Sequence, residues 1–110
     1  MEMYKDYIEE KFGSKLHVED YGFIQYELNE GGECYISEMY LKPEFRATTK
    51  AVEIADRVVE IVKELGYTVV TGSVCLEANG ATHSIMSLIK WGMTPTHVGN
   101  GQMVYFKKGI

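Results

Sequence analysis

Little in this sequence is basic, and cysteine and proline are scarcer still. Eleven lysines and arginines stand against sixteen aspartates and glutamates, a formal net charge of −5. That deficit argues against nucleic acid or an anionic membrane as the main partner. The two cysteines, Cys34 and Cys75, are too few for a disulfide scaffold and show no CxxC spacing, so a reduced, cytoplasmic setting is expected. No apolar run reaches the roughly 18 residues of a membrane span. The N-terminal MEMYKDYIEE has no apolar core of a signal peptide. His17, His83 and His97 lie far apart, with no cysteine or carboxylate at ligand spacing, so no metal site is expected. Linkers, low-complexity runs and internal repeats are missing, which leaves one domain over residues 1–110.

What remains is the ordinary material of a globular α/β chain, 45% apolar and 25% charged. Residues 3–12 place Met3, Tyr7, Ile8 and Phe12 near one face of a short helix that Gly13-Ser14 ends. Lys15–Glu19 and Phe23–Leu28 alternate as strands, and Asn29-Glu30-Gly31-Gly32 is a hairpin signal leading into a third. Short turns between consecutive strands imply an antiparallel meander. A helix from about Ala47 to Leu65 carries Ala51, Ile54, Ala55, Val58, Ile61, Val62 and Leu65 at helical spacing, with Gly66 as its left-handed cap. Tyr67–Leu76, rich in β-branched residues, reads as a buried strand. A strand–helix–strand unit of this length requires a crossover between parallel strands. A second helix over Ala81–Lys90, with Ala81, Ile85, Leu88 and Ile89 as its apolar stripe, is capped by Gly92. Met93–Val98 and Met103–Lys107 then form a hairpin through Gly99-Asn100-Gly101. The fold class is α/β, with a mixed central sheet and helices on both faces.

The stretch from Cys34 to Ala55 carries the chemistry. A strand stopped by Pro43, a turn presenting Arg46 and a helix start in direct succession build an anion site. The first turn of a helix has unpaired N–H groups and partial positive charge, and Arg46 and Lys50 flank it. The same features also suit a plain crossover with a solvated arginine.

Tyr40-Leu41-Lys42-Pro43-Glu44-Phe45-Arg46 resembles the fourth strand and following turn of the GNAT superfamily of N-acetyltransferases. The next residues, Arg46-Ala47-Thr48-Thr49-Lys50-Ala51, are similar to the loop whose amides hold the pyrophosphate of acetyl-CoA in that family. Arg46 and Ala51 match the pattern, and Thr49 stands at the family's first glycine. Lys90-Trp91-Gly92-Met93 resembles the family's Lys-x-Gly-Phe. The likeness covers residues 15–107, and it implies the GNAT fold without its first strand.

The resemblance implies acetyl-CoA as cosubstrate and transfer of its acetyl group to a primary amine. The strands Cys34–Leu41 and Thr68–Leu76 would part into a V-shaped gap. There the pantetheine arm would pair with backbone at Met39, Tyr40 and Leu41, and the pyrophosphate would sit on Arg46, Ala47, Thr48, Thr49, Lys50 and Ala51. Asn79 resembles the asparagine that opens the last helix. Glu38, beside the acetyl position, is the candidate base or amine ligand, its pKa raised by burial; a solvent-facing strand glutamate is the alternative. Tyr35 and Tyr40 are candidates both for packing and for proton transfer. The family's acid tyrosine falls on Leu88, with His83, Ser84 and Ser87 on the same helix. Thr49 and Leu88 motivate a second reading, a catalytically inactive GNAT-like binding or structural module such as occurs among phage-encoded proteins and virion components. A third is an unrelated small α/β interaction domain. The family also forms homodimers through its C-terminal strands.

Overall fold

A computed structural model describes residues 2–46 and 48–110. Helix α1 (Glu2–Phe12) is followed by strands β1 (Lys15–Glu19), β2 (Gly22–Asn29) and β3 (Glu33–Leu41). Helix α2 (Lys50–Glu64), strand β4 (Val69–Cys75), helix α3 (Ala81–Trp91) and strands β5 (Thr94–Gly99) and β6 (Met103–Gly109) complete the chain. Short 3-10 turns at Glu30–Gly32, Pro43–Phe45 and Asn100–Gln102 join elements. Among the described residues the strands form one sheet in the order β1-β2-β3-β4-β6-β5. The β1-β2-β3 meander is antiparallel, β3 and β4 are parallel, and β6 runs antiparallel between β4 and β5.

Side-chain alternation assigns the two faces. Ile24 and Tyr26 of β2, Cys34 of β3, Val70 and Val74 of β4 and Phe106 of β6 share one buried cluster with Ile54, Ala55, Val58 and Val62 of α2 and Ala81 of α3. Both long helices therefore cover the same face. The indole of Trp91 donates to the Asp56 carboxylate at 2.8 Å, which ties the end of α3 to α2. Leu16 lies opposite Gln25, between the core-facing positions of β2, so it projects to the other face. There α1 packs against β1, burying Ile8 and Leu16 outside the main cluster.

The apolar face expected for α1 is mostly open. Ile8 is buried, but Met3 is 86% exposed, and Tyr7 and Phe12 stack edge to face on one another rather than against the sheet. The strand expected to be buried, β4, buries only Val70, Gly72 and Val74. Thr71, Ser73 and Cys75 lie half-buried on the face without α2 and α3. Of the α3 stripe, Ile89 is exposed. Helix α2 begins at Lys50 rather than near position 47. Thr48 explains the delay: its hydroxyl donates to the Phe45 carbonyl and accepts from the Lys50 amide, closing a local turn that competes with helix. Gly92 caps α3 at φ +106°, where only glycine is unstrained.

Candidate functional site

Strands β3 and β4 are hydrogen-bonded neighbours only at their beginnings. The paired positions are Glu33 with Val69, Cys34 with Val70 and Tyr35 with Thr71. Beyond them β3 continues to Leu41 and β4 to Cys75 without pairing to each other. The cause is in β3 itself. Its register on β2 slips between Gln25–Glu38 and Tyr26–Ile36, leaving Ser37 as a bulged residue whose hydroxyl donates to the Gln25 carbonyl at 3.2 Å. A bulge bends its strand and increases the local twist, so β3 stays with β2 and departs from β4. The β3 wall of the resulting gap is roughly 20 Å long, at about 3.3 Å per residue. Met39, Tyr40 and Leu41 pair with Ile24, Phe23 and Gly22 on one side and face the gap on the other. Gly22 is required here: a Cβ on it would stand 2.1 Å from the Tyr40 carbonyl oxygen.

The two parallel strands run toward the same end of the sheet, so the turn after β3 and the loop after β4 both lie at the open mouth. That is where α/β sheets with parallel strands place their ligands. Arg46 lies in this turn, with its Nε donating to the Leu41 carbonyl at 2.9 Å and its guanidinium 5.5 Å from the centre of the Tyr40 ring. Lys50 opens α2, 4.9 Å above the Tyr21 ring. Burial pushes the Tyr21 phenol above its ordinary pKa, and the charges of Glu19 and Glu53 add to the effect. Ala51 is in the first turn of α2, and Asn79 is exposed in the loop before α3. The expectation for Ala47 lies outside the described residues.

The helix start already carries an anion. The Thr49 hydroxyl donates to one Glu53 carboxylate oxygen at 2.9 Å, and Lys50 Nζ lies 3.3 Å from the other. These two hydrogen bonds, Thr49 first, hold the Glu53 carboxyl below the ordinary range. Nothing in the pyrophosphate-loop pattern signals Glu53; the sign was the Thr-x-x-x-Glu spacing, one helical turn apart.

Glu38 is exposed on the gap wall rather than buried. With β4 gone by that point, no strand covers its edge. Tyr35, by contrast, is half-buried where the gap closes, its hydroxyl 2.8 Å from Ser73 Oγ of β4. Thr71, opposite Tyr35 on the same face, has a buried hydroxyl without a hydrogen-bond partner. Ser73 escaped the sequence reading because a lone serine in a β-branched strand has no local signature. Leu88, at the position of the family's acid tyrosine, is packed against the core.

No protein-family model and no curated protein matches the chain. Solved structures do match in fold. The PaiA N-acetyltransferase from Thermoplasma acidophilum, in complex with coenzyme A, superposes with a TM-score of 0.72 at 18% identity over 82% of this chain. An acetyltransferase of Bacillus subtilis in complex with CoA gives 0.73 at 15% identity, covering 96% of this chain and 84% of its own. A Bacillus anthracis protein assigned as a streptothricin acetyltransferase, with acetyl coenzyme A bound, gives 0.74 at 14% identity over 88% of this chain. The chain spans 54% of the length of the first and 62% of the third. At these identities the likeness establishes the fold, which is that of GNAT acetyltransferases.

Proposed function

We propose that this GNAT-fold chain is an acetyl-CoA-dependent N-acyltransferase, acting as a single domain over residues 1–110 on a primary amine of a small molecule or protein. One observation carries the reading: β3 leaves β4 beyond Tyr35 and Thr71, and the gap opens beneath a basic turn and a helix N-terminus. The pantetheine arm fills that gap as a substitute strand, pairing with the free edge at Met39, Tyr40 and Leu41. The pyrophosphate docks at the turn of Arg46, Thr48, Thr49, Lys50 and Ala51, and Asn79 flanks the mouth from the other strand. The thioester then reaches the closed end. Glu38, exposed on the wall, binds the acceptor ammonium or takes its proton once the bound arm desolvates it. The test is direct: with a panel of small amines and amine-bearing peptides, release of CoA thiol and acetylated product should rise together. An enzyme that binds acetyl-CoA but acetylates none of them would contradict the activity.

A second reading, an inactive GNAT-like binding module, is favoured by Glu53. Its carboxylate is already engaged by the Thr49 hydroxyl and Lys50 Nζ, two groups of the turn proposed for the pyrophosphate. A wild type that does not bind acetyl-CoA, with binding gained in Glu53→Gln, would favour this alternative.

A further inference from the structure

We infer that Tyr35, hydrogen-bonded across the closed end of the gap to Ser73, is the proton donor to the departing thiolate, in place of the helix tyrosine that Leu88 replaces. The inference rests on the acyltransferase reading above. Tyr35 and Thr71 are the last paired residues of β3 and β4. An arm that enters at the basic turn and runs inward between the strands therefore ends beside them. At that depth the face without α2 and α3 presents three hydroxyls: Tyr35 Oη and Ser73 Oγ, 2.8 Å apart, and the unpartnered, buried Thr71 Oγ1. The bond runs from Tyr35, the last residue of β3 that pairs with β4, to Ser73, two residues past the last β4 position paired to β3, and it holds the phenol at the apex. The Thr71 hydroxyl beside it is buried and has no hydrogen-bond partner, so the closed end holds a polar group that the fold itself does not satisfy. Leu88, half-buried against the core, offers no proton.

The step balances as follows. The lone pair of the neutral amine forms the C–N bond at the thioester carbonyl carbon, and the tetrahedral intermediate collapses. The C–S bond breaks with its electron pair leaving on sulfur. The Tyr35 hydroxyl proton passes to that sulfur, giving free CoA thiol, while Ser73 donates a hydrogen bond to the phenolate. The proton lost by the attacking nitrogen leaves through water and restores the phenol.

The experiment compares wild type, Tyr35→Phe, Ser73→Ala and a protein with 3-fluorotyrosine at position 35. Tyr35→Phe should lower kcat roughly tenfold to a hundredfold, the low end for a positioned acid, because a thiolate is a good leaving group. The Kd for acetyl-CoA should stay within about twofold. Fluorotyrosine, a more acidic phenol, should move the high-pH limb of kcat to lower pH; a structural role for Tyr35 would leave that limb in place. Should Tyr35→Phe fail to fold, the fluorotyrosine limb and a fall in kcat for Ser73→Ala decide alone. An unchanged kcat in Tyr35→Phe, or an unmoved limb, overturns the inference while leaving the transferase standing. A wild type that acetylates no amine removes both.

Discussion

Two side chains show how burial and placement set the chemistry of single groups. Burial pushes the Cys34 thiol up from 9.0 to about 11, with the charge of Glu33 adding to the effect. The folded state thus holds this proton more tightly than the unfolded chain. The associated stability is intact below pH 9 and is lost as pH rises through 11. Tyr26, its phenol also raised by burial, acts in the same direction. Urea midpoints should therefore fall between pH 8.5 and 11 by the equivalent of about 2 kcal/mol. Iodoacetamide should label Cys75 well before Cys34. Rapid labelling of native Cys34 would contradict its burial. At the mouth, Glu53→Gln removes a carboxylate from the turn proposed for the pyrophosphate, and acetyl-CoA should bind about two- to fivefold more tightly, the size of one helix-terminus charge effect. Weaker binding would mean that Glu53 organises the turn instead of competing with the ligand. Arg46 and Lys50 were legible in the sequence because charge at a helix start is a local pattern. Ser73 was not, because its partner lies on another strand, and Glu53 showed only in the Thr-x-x-x-Glu spacing, outside the loop pattern.

Between elements, the gap depends on how β2 grips β3. The bulge at Ser37 bends β3 away from β4, and Gly22 lets β2 stay close by admitting the Tyr40 carbonyl. Gly22→Ala forces these backbones apart. It should cost about 1–3 kcal/mol by urea unfolding, as overpacking does, and weaken acetyl-CoA binding by displacing the wall at Tyr40 and Leu41. A variant as stable as wild type would show that the close approach is not maintained. Truncating Ile54, fully buried where α2 meets the sheet, should cost about 2–5 kcal/mol. Element identity and order were legible because periods of 3.6 and 2 are written into the apolar pattern. The start of α2 was misplaced by the backbone-binding hydroxyl of Thr48, and the openness of α1 by its lack of a facing surface. Neither follows from periodicity. The bulge, which makes the site, has no signal in residues 34–41 at all.

Across the whole molecule, the sheet is covered unequally. Helices α2 and α3 seal one face, α1 shields part of the other, and the polar row of Tyr35, Thr71 and Ser73 lies half-buried beside the gap. The radius of gyration, 13.6 Å, is close to the roughly 13 Å of a folded chain of this length. No helix among the described residues is long and apolar enough to cross a membrane. The gap between two parallel strands at the edge that carries the basic turn is a property of this assembly rather than of any one residue. It is tested most directly by calorimetric titration of acetyl-CoA into the wild type and Arg46→Ala. The account predicts one site of micromolar affinity, weakened at least about tenfold, or roughly 1.4 kcal/mol, in Arg46→Ala. No heat with the wild type, together with a melting temperature unmoved by millimolar acetyl-CoA, would contradict it.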